Sequence, residues 1–190
     1  MSLNNKAFLF FVEKQLDKTD LPNKWKSASF DDFPDDILNK LGTDPLFVFG
    51  NPGIGKTHYL AAMIRHVIEL SVENKTGESV LFVPVPLLLY KLRCSYDKGS
   101  EEREQDIIKR YTEVDWLFLD DFGADRPGEW ARNSLYLIID ELYRNERKLS
   151  ISSNISLNQI AELYDDRMAS RIMEMCHVIK FTGEDKRKRK

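Results

Sequence analysis

The feature that most constrains the fold of this chain is the octapeptide GNPGIGKT at residues 50–57. It follows the apolar run LFVF at residues 46–49 and precedes a segment with helical periodicity, so it joins a buried strand to a helix. Glycines let such a loop turn its backbone N–H groups toward an anion, and the helix start adds a partial positive charge. The sequence therefore predicts an α/β domain with a phosphate-binding loop after its first strand.

The residues of this loop and the one after it form the predicted nucleotide-binding set. They are Gly50, Asn51, Pro52, Gly53, Ile54, Gly55, Lys56, Thr57 and His58. The Lys56 ammonium is expected to reach the β- and γ-phosphates, and the Thr57 hydroxyl is expected to bind the Mg²⁺ that bridges them. ATP and Mg²⁺ are thus the predicted ligands, and the alternative is a glycine-rich turn that binds nothing.

The rest of the chain repeats an alternation of strands and helices. Further apolar runs typical of buried strands lie at residues 80–83, 116–119, 149–152 and 178–181. Helical periodicity is found at residues 57–73, 86–96, 101–113, 129–147 and 156–175. This pattern predicts a mostly parallel five-stranded sheet with helices on both faces. Residues 1–45 hold an amphipathic start and the stretch FDDFPDD at residues 30–36, which is typical of a loop and helix cap.

Composition excludes several other classes of protein. A net charge of -3 argues against a wholly basic surface that wraps duplex DNA, although the KRKRK run at residues 186–190 is either a solvated tail or a local phosphate-pairing patch. Cys94 and Cys176 lack the spacing of a zinc site or disulfide framework, which favours a reducing, cytoplasmic location. The early apolar run at residues 7–12 is far shorter than the ~20 residues of a membrane span, so no membrane association is expected.

Two acidic residues, Asp120 and Asp121, follow the apolar run at residues 116–119. Carboxyl ends of parallel strands share one edge of the sheet, so this pair should lie beside the phosphate-binding loop. We expect Asp120 to bind Mg²⁺ together with Thr57, and Asp121 to orient or deprotonate the attacking water. The alternative is a pair of acids that end a strand in solvent.

A polar residue, Asn154, ends the next predicted strand. Its amide is suited to hydrogen-bond the attacking water or the γ-phosphate. From the residues alone, a helix cap near Ser156 is an equally good interpretation, because Asn is a common N-cap residue.

A predicted helix carries Arg167 and Arg171 on one face, since they are four residues apart. Either residue is a candidate arginine finger that stabilises the transferring phosphoryl group of a neighbouring subunit. Spacing alone favours the alternative, in which the two arginines form surface pairs with Asp165, Asp166 or Glu174.

Taken together and in this order, these motifs resemble the AAA+ helicase loaders DnaC and DnaI and the closely similar IstB transposition helpers. The motifs are GNPGIGKT, LFLDDFG at residues 117–123, ISSN at 151–154, DRMASRI at 166–172 and FTGEDKR at 181–187. The resemblance covers about residues 30–187 and implies an AAA+ sheet of order 5-1-4-3-2 without the usual helical lid. We divide the chain into an N-terminal extension or linker at 1–40, an ATPase domain at 41–183 and a basic tail at 184–190.

The resemblance also implies roles for individual residues. Asn154 becomes the sensor-1 residue, Arg167 the finger acting in trans with Arg171 as second choice, and Arg187 a nucleotide contact from the end of the chain. It further implies binding of single-stranded DNA, a hexameric replicative helicase as partner, and self-association with ATP sites at subunit interfaces. One departure is that helicase loaders carry a further N-terminal domain, whereas only residues 1–45 precede the first strand here.

Three functions are compatible with the sequence. The leading one is a slow, assembly-dependent ATPase of the helicase-loader type, acting in DNA replication at the primosome. The second is an IstB-like helper that directs a transposase, and the third is a small-molecule P-loop kinase, which the acidic pair disfavours because it suits water activation. Candidate DNA contacts are Lys91, Arg93 and the tail by charge, and Tyr90, Trp130 and Tyr136 by stacking, although such aromatic residues are more often core.

Overall fold

The computed structural model describes residues 3–33, 44–96, 102–124, 127–183 and 185. Its strands are β1 (Leu46–Phe49), β2 (Val80–Pro84), β3 (Trp116–Phe122), β4 (Lys148–Ser153) and β5 (His177–Lys180). Its helices are α1 (Leu3–Leu16), α2 (Lys56–Asn74), α3 (Val85–Cys94), α4 (Glu104–Thr112), α5 (Glu129–Arg144), α6 (Leu157–Leu163) and α7 (Asp166–Met175), with short 3-10 helices at Asn23–Trp25 and Phe30–Asp32. None of the helices described here is both long enough and apolar enough to cross a bilayer.

The five strands form one sheet in the order β2-β3-β4-β1-β5, and neighbouring strands pair in parallel. Strand β1 lies between β4 and β5, with Phe47 opposite Ile151 on one side and Val178 on the other. Read from the opposite edge, this is the order 5-1-4-3-2, so the predicted sheet is confirmed.

Alternating side chains of the inner strands feed two separate hydrophobic clusters. Odd-numbered residues such as Phe47 and Leu117 pack against α3, α4, α5, α6 and α7. Even-numbered residues such as Val48 and Phe118 pack against α1 and α2. Because β1, β2 and residues 116–119 of β3 are covered on both sides, they are apolar almost throughout, which is why they were recognisable as continuous apolar runs, whereas β5 is mostly exposed.

The N-terminal segment packs against the α2 side of the sheet. Val12 and Leu16 of α1 are fully buried in the same cluster as α2. The Thr19 carbonyl accepts the Phe82 N–H at 2.7 Å, which ties this segment to β2. The described residues 3–33 therefore pack into the same hydrophobic core as the sheet and α2, while the boundaries between the predicted segments stay a prediction.

Two predicted elements differ in detail from the structure. The single helix predicted at residues 156–175 is wrong, because two helices, α6 and α7, occupy this region. Asp165 breaks it: its backbone is extended, at φ -171 and ψ 139, and its carboxylate accepts the Arg167 N–H as the N-cap of α7. Strand β3 also runs on to Phe122 through a register shift, beyond its predicted end.

Candidate nucleotide-binding site

The phosphate-binding loop lies between β1 and α2 and is packed against the C-terminal segment of the chain. Gly53 has φ 81, a conformation that residues with a side chain rarely adopt. A Cβ at position 53 would also overlap the carboxylate of Asp185, and a Cβ at Gly50 would overlap the carbonyl of Phe181. Glycine is therefore required at position 53 by its backbone conformation, and at position 50 by the close approach of the Phe181 backbone as well.

The Lys56 ammonium lies at the centre of this loop and is largely buried. It donates to the carbonyls of Gly50 at 2.8 Å and Asn51 at 2.9 Å, and to Oδ1 of Asn154 at 2.8 Å. A buried ammonium needs such acceptors to offset its desolvation. The loop carbonyls thus accept the Lys56 N–H groups that would donate to phosphate oxygens when nucleotide is bound. Asn154 links the loop to the end of β4.

The first acid, Asp120, lies directly beside the start of α2. The Thr57 hydroxyl donates to Oδ1 of Asp120 at 2.9 Å, and its contact with Oδ2 is 3.1 Å. The hydroxyl of Ser152 donates to Oδ1 from the neighbouring strand β4. Burial raises the pKa of Asp120 above its usual range, although the hydrogen bonds from Ser152 and Thr57 act in the opposite direction.

The second acid, Asp121, is turned away from Asp120 by the register shift in β3. Its φ is 57, and its N–H donates to the Ser152 hydroxyl at 3.2 Å instead of continuing the ladder. Its exposed carboxylate accepts the Asn154 amide at 3.4 Å. Two consecutive acids therefore have different surroundings, one buried against Thr57 and one exposed beside Asn154.

The two alternatives for Asn154 can be compared directly. The N-cap of α6 is Ser156, whose hydroxyl accepts the Gln159 N–H at 3.4 Å in a capping box. Asn154 instead bridges Lys56 and Asp121 with its side-chain amide. Its place is therefore at the loop, and its role in turnover stays a prediction.

The site can hold one divalent cation together with phosphates. Among the described residues, no group of three or more His, Cys, Asp or Glu side chains forms a metal site. Mg²⁺ prefers oxygen ligands and is commonly held by one or two protein groups plus phosphates and waters. The Thr57 hydroxyl and the Asp120 carboxylate are such oxygen ligands, already in contact at the start of α2.

His58 follows Thr57 on α2 and lies among aromatic residues of the N-terminal segment. Its Nε2 is 2.9 Å from Oδ2 of Asp32, and its ring centroid is 5.4 Å from that of Trp25 and 5.1 Å from that of Phe33. These contacts join the start of α2 to the N-terminal segment. His58 was predicted to belong to the nucleotide-binding set, whereas its contacts with Asp32, Trp25 and Phe33 were not predicted from the sequence.

The two candidate fingers have unequal exposure. The Arg167 side chain is 71% exposed and pairs with Asp165, whereas that of Arg171 is 20% exposed and pairs at 2.5 Å with the buried Asp140. The first pair is one that the surface interpretation predicted, and the second partner was not among those expected. Arg167 is accessible to a second copy of the chain, while Arg171 is held within its own.

A cluster of aromatic and cationic residues lies on α3 and beside its C-terminal end, and we call it the α3 surface: Tyr90, Arg93, Tyr96 and Trp130. Tyr90 and Tyr96 are 64% and 59% exposed. The Arg93 guanidinium lies 5.5 Å from the Trp130 ring centroid, and the Tyr96 ring lies 6.3 Å from it. Lys91, in contrast, donates to the Tyr111 hydroxyl at 3.0 Å.

Some predicted residues lie outside the part of the chain that the structure describes, and some residues of the site were not predicted. Arg187 and the basic run at residues 186–190 lie outside the described residues. Ser152, Asp140 and Asp185 were not predicted from the sequence. Of these three residues, only Ser152 could have been identified from the sequence, because hydroxyls at positions 150, 152 and 153 are unusual in a strand that is otherwise apolar and buried.

Comparison with known proteins gives the same family as the motifs. Residues 42–190 match the sequence profile of the family described as IstB-like ATP binding protein. The chromosomal replication initiator protein DnaA of Onion yellows phytoplasma (strain OY-M) is 26% identical over 132 residues, and the protein YqaM of Bacillus subtilis (strain 168) is 28% identical over 134. These matches cover 70% and 68% of this chain but 25% and 39% of the relatives, so the chain spans well under half of their length.

Solved structures show the fold. The DnaC helicase loader superposes with a TM-score of 0.70 at 22% identity, covering 85% of this chain and 100% of that one. DnaI gives 0.69 at 21% identity, covering 90% and 98%, and a DnaA bound to AMPPCP and single-stranded DNA gives 0.64 at 21%, covering 87% and 52%. The resemblance to an AAA+ P-loop fold is thereby confirmed. Since the profile spans the loop, the acidic pair and both arginines, the chain belongs to the family of IstB-like ATP-binding proteins.

Proposed function

We propose that this protein binds ATP with Mg²⁺ and hydrolyses it slowly when copies associate, as a helicase-loader-type ATPase acting on single-stranded DNA in replication. The observation that carries the proposal is the linked set of hydrogen bonds from Lys56 through Asn154 to Asp121. It connects the phosphate-binding loop to an exposed carboxylate, which is what the hydrolysis of a bound nucleotide requires.

Each residue of the site has a defined part in this chemistry. Lys56 exchanges its contacts with the loop carbonyls for contacts with the β- and γ-phosphates. Thr57 and Asp120 hold Mg²⁺, which when bound neutralises charge on those phosphates. Asp121 orients the attacking water and accepts its proton, and Asn154 holds Asp121 and Lys56 at a fixed separation.

A second copy of the chain supplies the missing positive charge. Arg167 is the proposed finger because it is exposed, whereas Arg171 is committed to Asp140. A guanidinium that reaches the γ-phosphate across a subunit interface stabilises charge only in the assembled form. Turnover that depends on assembly is the consequence.

The α3 surface is the proposed contact for single-stranded DNA. Exposed rings with a neighbouring guanidinium are what a sequence-tolerant stacking surface requires. Replacing Tyr90 by Ala should weaken binding of a labelled oligothymidine about tenfold, since stacking on one base is worth about 1–3 kcal/mol. Phe10→Ala is the matched control, because Phe10 is 63% exposed but lies on α1. Equal effects of both substitutions on fluorescence anisotropy would remove the assignment.

The partner is proposed to be a hexameric replicative helicase, following the description of DnaC as a helicase loader. A second candidate is a transposase, as the resemblance of the motifs to the IstB transposition helpers implies. Size-exclusion chromatography with ATP, using a purified helicase in one experiment and a transposase in another, distinguishes the two by which protein co-elutes. A cytoplasmic location accords with either partner and stays a prediction.

The experiment that tests the proposed function measures ATP turnover across a dilution series, with and without single-stranded DNA. Turnover per subunit should fall on dilution and change when DNA is added. Lys56→Ala should abolish turnover at every concentration, whereas Arg167→Ala should keep ATP binding by the dilute chain and lose only the assembly-dependent part. If turnover per subunit changes neither on dilution nor on addition of DNA, the proposal is contradicted, and phosphoryl transfer to a small acceptor is favoured.

A further inference from the structure

The outer face of α7 presents two arginines to one aromatic ring of α5. The guanidinium carbons of Arg167 and Arg171 lie 4.9 Å and 4.7 Å from the centroid of the Tyr136 ring. Like charges one helical turn apart repel each other. An arrangement that keeps both on the same ring therefore needs features that hold each guanidinium in place.

Side chains of α5 hold the Arg171 guanidinium in place. Its Nη2 lies 2.5 Å from Oδ1 of Asp140, whose side chain is 8% exposed, and its guanidinium lies 5.6 Å from the ring of Tyr143. A buried carboxylate and two rings leave this arginine little freedom. It joins α7 to α5 and sets the position of the helix face that carries Arg167.

The Asp165 carboxylate holds the Arg167 guanidinium in place. Its Nε and Nη2 donate to the two carboxylate oxygens of Asp165 at 3.1 Å and 2.9 Å, a planar fork in which the pKa of Asp165 is lowered by these hydrogen bonds. Within the described part of the chain, its Nη1 has no hydrogen-bond partner. The guanidinium thus has one edge on Asp165, its central carbon 4.9 Å from the centre of the Tyr136 ring and one edge available to an incoming anion.

We propose that Tyr136 is a positioning residue for Arg167, holding the guanidinium in the orientation in which it meets the γ-phosphate of a neighbouring subunit. The inference rests on the proposed role of Arg167 as a finger in trans. An exposed arginine without such support gives up many rotamers when it engages a phosphate. The Tyr136 ring limits those rotamers in advance, because the guanidinium is attracted to the ring face.

The test compares two substitutions of Tyr136 at a protein concentration where assembly is complete. Tyr136→Leu should lower turnover roughly two- to fivefold, the range expected for loss of one exposed cation–π contact. Tyr136→Phe keeps the ring and should recover turnover. Leu137→Ala, on the same helix and 46% exposed, is the matched control and should turn over normally. ATP binding by the dilute chain should be unchanged in all three, which excludes a folding defect.

A mixing experiment tests whether the effect is exerted in trans. Asp121→Asn subunits keep the loop, Arg167 and Tyr136 but lack the water-orienting carboxylate, so an excess of them offers intact fingers to the loops of Tyr136→Leu subunits. Turnover per Tyr136→Leu subunit should rise toward that of the unchanged protein. Failure of this rescue, or loss of turnover in Tyr136→Phe, would overturn the inference.

The same mixture separates this inference from the proposed function. Arg167→Ala subunits should likewise be rescued by Asp121→Asn subunits. If they are not rescued, the finger assignment itself is wrong. If they are rescued and Tyr136→Leu shows normal turnover alone, only the positioning role is wrong.

Discussion

Replacing Ser152 by Ala tests how the buried acid of the site is held. The Ser152 hydroxyl donates to Asp120 and accepts the Asp121 N–H at 3.2 Å, and it is 1% exposed. A hydrogen bond to a charged group contributes about 1.5–3 kcal/mol, and a neutral one about 1 kcal/mol. The substitution should therefore lower the free energy of unfolding by about 3 kcal/mol, or the melting temperature by roughly 6–12 °C.

The pH dependence distinguishes this loss from ordinary destabilisation. Burial raises the pKa of Asp120, so the folded state binds this proton more tightly than the unfolded chain does. The stability contributed by the protonated acid is present at low pH and is lost as pH rises through the raised pKa. Without Ser152 the ionised form is held less well. The deficit of Ser152→Ala should therefore be largest above that pKa and shrink as pH falls.

Ser150→Ala is the matched control, on the same strand and the same face. Ser150 accepts the Leu46 N–H at 3.1 Å and the Trp116 indole N–H at 3.2 Å, and neither donor is charged. Its deficit should be about 2 kcal/mol at every pH. Urea unfolding followed by tryptophan fluorescence over a pH series measures both variants. A Ser152→Ala deficit that is constant with pH would refute the proposed coupling to Asp120.

Three further predictions concern the loop and the arginines. Gly53→Ala should weaken binding of a fluorescent ATP analogue about tenfold, since φ 81 strains a residue with a side chain, whereas Gly128→Ala, with φ -69 and no described atom within 4 Å of its Cβ, should bind normally. Asp185→Asn should tighten ATP binding about fivefold by removing ~1 kcal/mol of repulsion, and adenosine binding, measured by calorimetry, should not change. Arg171→Ala should lower the free energy of unfolding by about 2 kcal/mol in urea, because the buried Asp140 carboxylate loses a charged partner and keeps its pair with Arg144, whereas Arg167→Ala should not; equal losses would contradict the division of roles.

Much of this fold follows from patterns that are local in the chain. A strand that is buried on both faces appears in the sequence as an apolar run. The glycine spacing and the Lys-Thr pair of GNPGIGKT are typical of a loop that binds phosphate groups. Sharing one edge of a parallel sheet then brings Asn154 to Lys56, Asp121 to Asn154 and Asp120 to Thr57, as the structure shows.

The remaining features depend on contacts between distant residues. The pairing of Arg171 with Asp140 joins two helices, and no spacing rule connects positions on different helices. The break at Asp165 follows from a side chain that accepts a backbone N–H two residues later, which competes with a helical pattern that otherwise continues. The register shift in β3 likewise leaves no mark in the composition of the strand.

The position of β1 in the sheet has a consequence for how the protein is made. Both neighbours of β1, the strands β4 and β5, come from the C-terminal part of the chain. During synthesis the phosphate-binding loop therefore emerges long before the strands that hold it, and the edges of β1 stay unpaired until nearly the whole chain is available. Fragments that end before β4 would contain the complete octapeptide and yet be unable to form a binding site.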